Sequence, residues 1–405
     1  MENMRESDIY NYPGYPSGFK SLWKFPLPSE KERDLRWNAV RKAMRENHLD
    51  CLILGGASSH VTFPNNNIYY ISNYVPFFNL GTYIVFPLEG EPQIAVSSSI
   101  GPQFLHCASE TSWIREIVQH LQPAEVLIRK IRNLKLEKGA LGIVGYRTGV
   151  FPASTNDMLH AAFPKARFAE ATSVLAQAQN EVSRTSREEL AFLKKTAEIH
   201  DISFNAVAKA FKPGVNEQVL WAAAEKAIIE NGGWSPHFML VTAGPSPIFP
   251  RAPASNYTLV KGDVIVFEIN VVYGGILSQT CYALSLGEPE KNTAKMYGLV
   301  EELYQWSLAE HGKHKTFGEV EKGLIDRIYR EGYRPMTPQI HIYNQSVDMP
   351  ADKPAQPGDY FTVHPNVCTR DYTAGAKLGD TIRINRNGKV ERLQKTSAKL
   401  HIINP

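Results

Sequence analysis

A chain of 405 residues with 43% hydrophobic and 21% charged residues is long enough for two to three domains with sizeable cores. Its net charge of +3 is mild and spread along the chain, so nothing argues for a nucleic-acid surface. The four cysteines, Cys51, Cys107, Cys281 and Cys368, are far apart and form no Cys-x-x-Cys pair. That pattern predicts reduced thiols rather than a disulfide framework or a zinc site. The polar start Met1-Glu-Asn-Met-Arg carries no apolar signal segment, and no apolar run is long enough to span a bilayer, so a cytoplasmic location is expected.

Residues 1–28 are rich in Tyr, Pro, Gly and Ser and read as an extended arm. Ser29 to Asn47 has apolar residues near a 3.6 period, with Ser29 placed as an N-cap, and predicts a helix. Cys51–Leu54, Asn67–Ile71, Thr82–Phe86 and Gln93–Ser97 follow as short strands. Helical and strand patterns alternate to about residue 178, which predicts an α/β domain over 29–180. Ser186-Arg-Glu-Glu189 has the form of a capping box and opens a long helix. A second helix, Glu217–Glu230, stops at Gly232-Gly233. Strand-like runs then dominate: Phe238–Thr242, Val264–Val272, Ile276–Leu286, Gln339–Tyr343, Tyr360–His364 and Thr381–Asn385. Helices near 294–309 and 317–331 lie between them. This predicts an α+β second domain over 181–405.

Several motifs in this second half, in order, resemble those of the creatinase / aminopeptidase P / methionine aminopeptidase family, whose fold is called pita-bread. Lys212-Pro-Gly214 resembles the family's turn between its first two helices, and Gly262-Asp263 introduces the hairpin. Gly358-Asp-Tyr-Phe-Thr-Val-His-Pro365 is similar to the family's Gly-Met-Val-Phe-Thr-Ile-Glu-Pro. Gly375-Ala-Lys-Leu-Gly-Asp-Thr-Ile382 is similar to Gly-Val-Arg-Ile-Glu-Asp-Thr-Val. Asn67-Ile-Tyr-Tyr-Ile71 resembles the Asn-Ile-Arg-Tyr-Leu strand of the creatinase and prolidase branch. The resemblance covers nearly all of residues 30–395. It implies an α/β N-terminal domain plus an α+β pita-bread C-terminal domain. It also implies a homodimer that buries the arm and the aromatic segment Tyr74–Phe78.

The family's peptidases hold two metal ions with Asp, Asp, His, Glu and Glu, and the ions activate a bridging water. Carried over residue by residue, the first Asp falls on Glu268. The second, eleven residues on, falls on Gln279. The His falls on His341, the first Glu on His364 and the second Glu on Gly379. One carboxylate remains of four, so a dinuclear centre and metal-dependent peptidase activity are not expected. Glu268, His341 and His364 leave one option open, a single zinc or ferrous ion on two histidines and a carboxylate. The alternative is a hydrogen-bonded polar pocket without cofactor. Creatinase, a metal-free relative, has a His base where this chain has Arg251. Its guanidinium-binding glutamates fall on Cys281 and His364. A creatinase is therefore not expected, and a substrate carrying a carboxylate is.

The catalytic candidates are Glu268, His364 and His341. His364 suits proton transfer near neutral pH, and Glu268 is placed as its partner in an acid–base pair. Substrate-binding candidates are Arg251, Gln279, Cys281, His237 and Lys377, each with a plainer alternative. Arg251 forks onto a carboxylate or is a rim charge. Cys281 is a nucleophile or a buried filler, and Lys377 a structural partner of Glu268. The expected activity is metal-independent cleavage of a C–N or amide-type bond in a small molecule outside the peptidases, by hydrolysis or elimination. A non-catalytic peptidase-like binding protein is the competing reading. Expected partners are a small-molecule substrate and a second copy of the chain, with neither nucleic acid nor membrane.

Overall fold

The computed structural model describes residues 26–57, 66–74, 81–97, 111–146, 150–235, 238–248, 250–251, 253–341 and 351–404. The chain forms two compact units, with the break between Glu188 and Glu189.

The first unit is a six-stranded sheet in the order β4-β3-β2-β1-β5-β6. Its strands are β1 (Cys51–Ala57), β2 (Gly81–Pro87), β3 (Gln93–Ser97), β4 (Glu116–His120), β5 (Ala140–Val144) and β6 (Arg167–Glu170). β1 and β2 pair antiparallel, whereas β1 and β5 pair parallel. The run Cys-Leu-Ile-Leu is apolar throughout because both faces of β1 are covered. Leu52 and Leu54 join a core with Val40, Met44 and Leu175, while Cys51 and Ile53 join another with Leu127 and Leu159. The helices over these faces are α1 (Glu30–Glu46), α2 (Asn66–Ser72), α3 (Pro123–Asn133), α4 (Ala153–Ala162) and α5 (Thr172–Thr185). Ser29 caps α1 as its position predicts, its side chain accepting from the Glu32 N–H.

Asn67–Ile71 is not the strand its sequence predicts. It lies in the two-turn helix α2, where Ile68, Tyr70 and Ile71 all pack into the α1 core. The Ser72 hydroxyl donates to the Ile68 carbonyl, closing the last turn. Tertiary packing of Ile68, Tyr70 and Ile71 outweighs the segment's β-branched and aromatic composition. Residues 1–25 and 75–80, which hold most of the proposed arm and dimer segment, lie outside the described residues.

The second unit is an eight-stranded sheet. Its main path is β10-β11-β14-β9-β8-β7, with β15 on β14 and β16 parallel to β9. These strands are β7 (Met239–Gly244), β8 (Val264–Tyr273), β9 (Ile276–Leu286), β10 (Ile340–His341), β11 (Tyr360–Val363), β14 (Gly379–Ile384), β15 (Val390–Arg392) and β16 (Leu400–Ile403). A separate small ribbon pairs β12 (Asn366–Cys368) with β13 (Gly375–Lys377). Helices α6 (Arg187–Ala210), α7 (Glu217–Glu230), α8 (Lys291–His311) and α9 (Phe317–Arg330) complete the unit. The β8–β9 hairpin turns on Gly274 and Gly275, at φ 58° and 79°. Two adjacent positive φ values are what a tight two-residue hairpin turn requires, and glycine adopts them without steric cost.

Alternation along β8 sorts its residues by face. Ile265, Phe267, Ile269 and Val271 pack with α6 and α7 through Phe204, Leu220 and Ile228. Val264 and Val266 pack with α8 and α9 through Met296, Val300 and Leu324. Glu268 and Asn270 continue this second face, where the apolar lining gives way to polar groups.

Two buried histidines away from those polar groups make the fold acid-sensitive. His200 on α6 bonds to the backbone and hydroxyl of Ser278. His311, at the end of α8, lies among Phe317 and Phe361. Burial pushes each down to about 4, so both are neutral in the folded protein and take a proton in the unfolded chain near pH 6.5. The associated stability is present above pH 6.5 and is lost as pH falls towards 4. Each histidine is worth about 2–3 kcal/mol over that window. The urea midpoint should therefore fall steadily from pH 7 to pH 4.5. His311→Phe should make the fall shallower, and an unchanged slope in that variant would refute this.

Candidate functional site

The hairpin brings its polar residues together by register. Glu268 on β8 lies opposite Cys281 on β9, and Asn270 lies opposite Gln279. Glu268 and Gln279 are thus diagonal neighbours on one face, close enough for side chains to meet. The Gln279 amide Nε2 donates to Glu268 Oε1 at 3.0 Å. Lys377, the last residue of β13, places Nζ 2.6 Å from Glu268 Oε2. Both members of this ion pair are almost fully buried, at 2% and 5% side-chain exposure.

The histidines come from the neighbouring edge of the sheet. His341 on β10 sits across from Thr362 of β11, and His364 follows the end of β11. Their Nε2 atoms are 2.6 Å apart. Gln339 holds the two in place. Its carbonyl accepts from the His364 N–H, its side chain accepts from the Asn366 N–H, and its own N–H donates to Glu321 of α9. Burial, and then the Lys377 charge, holds the His341 imidazole down to about 3. The same causes, with His341 added, hold His364 well below its ordinary value. Both rings are neutral at physiological pH. One therefore donates from Nε2 and leaves Nδ1 as an acceptor, and its partner carries its proton on Nδ1.

The expected Glu268–His364 pair is not made. Both Glu268 oxygens go to Gln279 and Lys377, and His364 bonds instead to His341. A buried ammonium within 3 Å out-competes a neutral imidazole for a carboxylate. Lys377 is accordingly the direct ionic partner of Glu268. The Cys281 thiol is buried, and burial together with the Glu268 charge raises it well above its ordinary value, so it is no thiolate nucleophile. Arg251 stands apart from this cluster. It extends the edge of β7 through Val241, with its guanidinium 3.3 Å from Ser255 Oγ and 3.7 Å from Glu217 Oε1. His237 lies outside the described residues.

Two metal ions do not fit these residues. The one carboxylate is already neutralised by Lys377, and Gln279 is neutral. At Gly379 a side chain has no room: a Cβ there would lie 2.0 Å from the Val363 carbonyl oxygen and 2.5 Å from His364 Cα. Nor do Glu268, His341 and His364 assemble as a single-ion site. Among the described residues no three His, Cys, Asp or Glu side chains are grouped to hold a metal. A positive charge is nevertheless present on this face, as the Lys377 ammonium.

Sequence reasoning passed over Asn270. It is 1% exposed, and neither its Oδ1 nor its Nδ2 has a hydrogen-bond partner among the described residues. Its signal was the spacing, since a residue two after Glu268 on a strand must share its face.

A two-unit chain with a six-stranded mixed sheet in the first unit and a mostly antiparallel eight-stranded sheet in the second is the architecture of the creatinase and prolidase class. Residues 36–178 match the creatinase/prolidase N-terminal domain, and residues 191–386 match metallopeptidase family M24. The chain belongs to the creatinase/aminopeptidase P group of that family, with the pita-bread fold. A prolidase structure from Thermococcus sibiricus superposes with a TM-score of 0.75 at 19% identity, covering 93% of this chain and all of that one. The Xaa-Pro dipeptidase of Pyrococcus horikoshii is 21% identical over 374 residues, 88% of this chain and 96% of its own. A Bacillus subtilis protein described as an uncharacterized peptidase, YqhT, is 24% identical over 213 residues, half of this chain. The match spans only 60% of the length of that protein.

These names overturn one expectation. A C–N hydrolase or lyase outside the peptidases is not what the relatives indicate; they are called Xaa-Pro dipeptidases and peptidases. The expectation leaned on the lost metal ligands, which speak to how a bond is cleaved and not to which bond it is. Among the described residues no helix is long and apolar enough to cross a membrane.

Proposed function

We propose that this chain is a peptidase acting on short peptides, with the Lys377 ammonium supplying the positive charge that metal ions supply elsewhere in the family. The observation that carries this reading is the buried Lys377–Glu268 pair beside the His341–His364 pair. Peptide-bond cleavage builds negative charge on the carbonyl oxygen. A fixed ammonium in a water-poor site is suited to stabilise that charge. The neutral histidines supply one nitrogen that accepts a proton and one that donates, linked by a hydrogen bond, so a proton taken from water can be passed to the leaving amine. Glu268 and Gln279 position Lys377. The names of the relatives support the peptide part of the reading, and the donor set supports the metal-free part.

The test is hydrolysis of a panel of unblocked dipeptides, Xaa-Pro among them, by purified protein after treatment with a chelator. Turnover is expected, and His364→Ala should lower it by about 10²–10⁴-fold. Binding without cleavage of any peptide would contradict the proposal.

A further inference from the structure

Among the described residues, three buried polar atoms on this face have no hydrogen-bond partner: Asn270 Oδ1, Asn270 Nδ2 and Gln279 Oε1. Asn270 and Gln279 are 1% and 0% exposed and stand directly opposite each other across β8 and β9. Buried polar groups left without hydrogen bonds are costly, and such groups clustered on one face mark a place where something else completes them. Gln279 is fixed in orientation because its Nε2 donates to the Glu268 carboxylate, so its open atom is an acceptor. The open set is therefore one donor and two acceptors.

Charge narrows the ligand further. Glu268 and Lys377 are paired with each other and both histidines are neutral, so a permanently charged substrate side chain would meet no unpaired counter-ion here. A charged group would enter a desolvated site without a counter-ion, at high cost. The complement of the open set is a neutral group with two N–H donors and one carbonyl acceptor. A primary carboxamide supplies them: its C=O and the N–H cis to it share one edge, and the second N–H points off the other side of the nitrogen. One N–H reaches Asn270 Oδ1, its carbonyl accepts from Asn270 Nδ2, and its second N–H reaches Gln279 Oε1. A trans peptide group points its N–H and C=O in opposite directions and cannot pair with one carboxamide in this way. A lactam makes the first two bonds and lacks the third.

We infer that Asn270 and Gln279 form a subsite for a primary carboxamide on the substrate, such as a glutaminyl side chain. This rests on the peptide reading above and names the class of peptide. The test uses uncleavable reduced-bond analogues of Gln-Pro, Glu-Pro, pyroglutamyl-Pro and Ala-Pro, with affinity measured by titration calorimetry on the full chain. The Gln analogue is expected to bind at least about tenfold more tightly than the Glu analogue, since a site built to hydrogen-bond a group rejects analogues that leave it unpaired. The pyroglutamyl analogue should fall between. Asn270→Leu should erase the preference, and Asn270→Asp, which keeps the size and loses the donor, should reduce it if the leucine variant does not fold. Equal affinity for Gln, Glu and Ala analogues would overturn the carboxamide subsite and leave the peptide reading standing. A preference that survives both Asn270 variants would also overturn it. Failure of every analogue to bind would overturn both.

Discussion

Lys377→Met is expected to destabilise the protein by about 3–5 kcal/mol, the usual consequence of removing one partner from a buried ion pair. The cause is the Glu268 carboxylate, which would remain in the interior with only the Gln279 amide against it. Glu268→Gln should also destabilise, by removing the carboxylate that neutralises the buried Lys377 ammonium. The double variant should recover most of that loss, because two neutral side chains of similar volume leave no buried charge behind. Urea unfolding at pH 7 reads all three. If Lys377→Met costs under 1 kcal/mol, or if the two losses simply add in the double variant, the pair is not the organising interaction of this face. Peptide cleavage should be lost in the double variant even though stability returns. That separation distinguishes a functional charge from a structural one.

Gly379→Ala is expected to cost about 3 kcal/mol or more, far above an ordinary surface substitution. Gly379 has φ 151°, a conformation other residues rarely adopt, and the obstacle to a Cβ is backbone rather than a movable side chain. β14 runs beside β11 through Asp380 opposite Val363, so the strain would pass directly into the strand that carries His364. Gly379→Glu, which restores the residue type that the family resemblance places at this position, should destabilise at least as much and recruit no metal. A well-folded Gly379→Glu protein that binds manganese or zinc would contradict this. Asp380 anchors the same strand from the other side, accepting from Arg392 Nε at 3.1 Å and from the Tyr304 hydroxyl.

Much of the fold could be read from local pattern. The hairpin was visible because Gly274-Gly275 interrupts two β-branched runs, and the observed strands end at Tyr273 and resume at Ile276. Asn67–Ile71 was misread because its composition suits a strand, while its burial on α1 comes from residues far away in sequence. The site was legible in part for a similar reason. The eleven-residue spacing of Glu268 and Gln279 puts them on facing strands around a fixed turn, so their meeting follows from register. The partner of Glu268 does not follow from register. It depends on where the small β12–β13 ribbon ends, which places Lys377 closer than His364. The pairing of His341 with His364 depends likewise on Gln339 bridging two strands. Asn270 escaped notice because an amide carries no charge and matches no motif, although its face was determined by its distance from Glu268.

Whether an internal ammonium does the work of metal ions in this fold is tested most directly by the dipeptide assay on chelator-stripped protein, with the metal content of the same sample counted. The predicted result is undiminished Xaa-Pro or related dipeptide cleavage with well under one equivalent of transition metal per chain, unchanged on adding manganese, cobalt or zinc. Cleavage that vanishes on stripping and returns in proportion to one or two equivalents of added metal would contradict it.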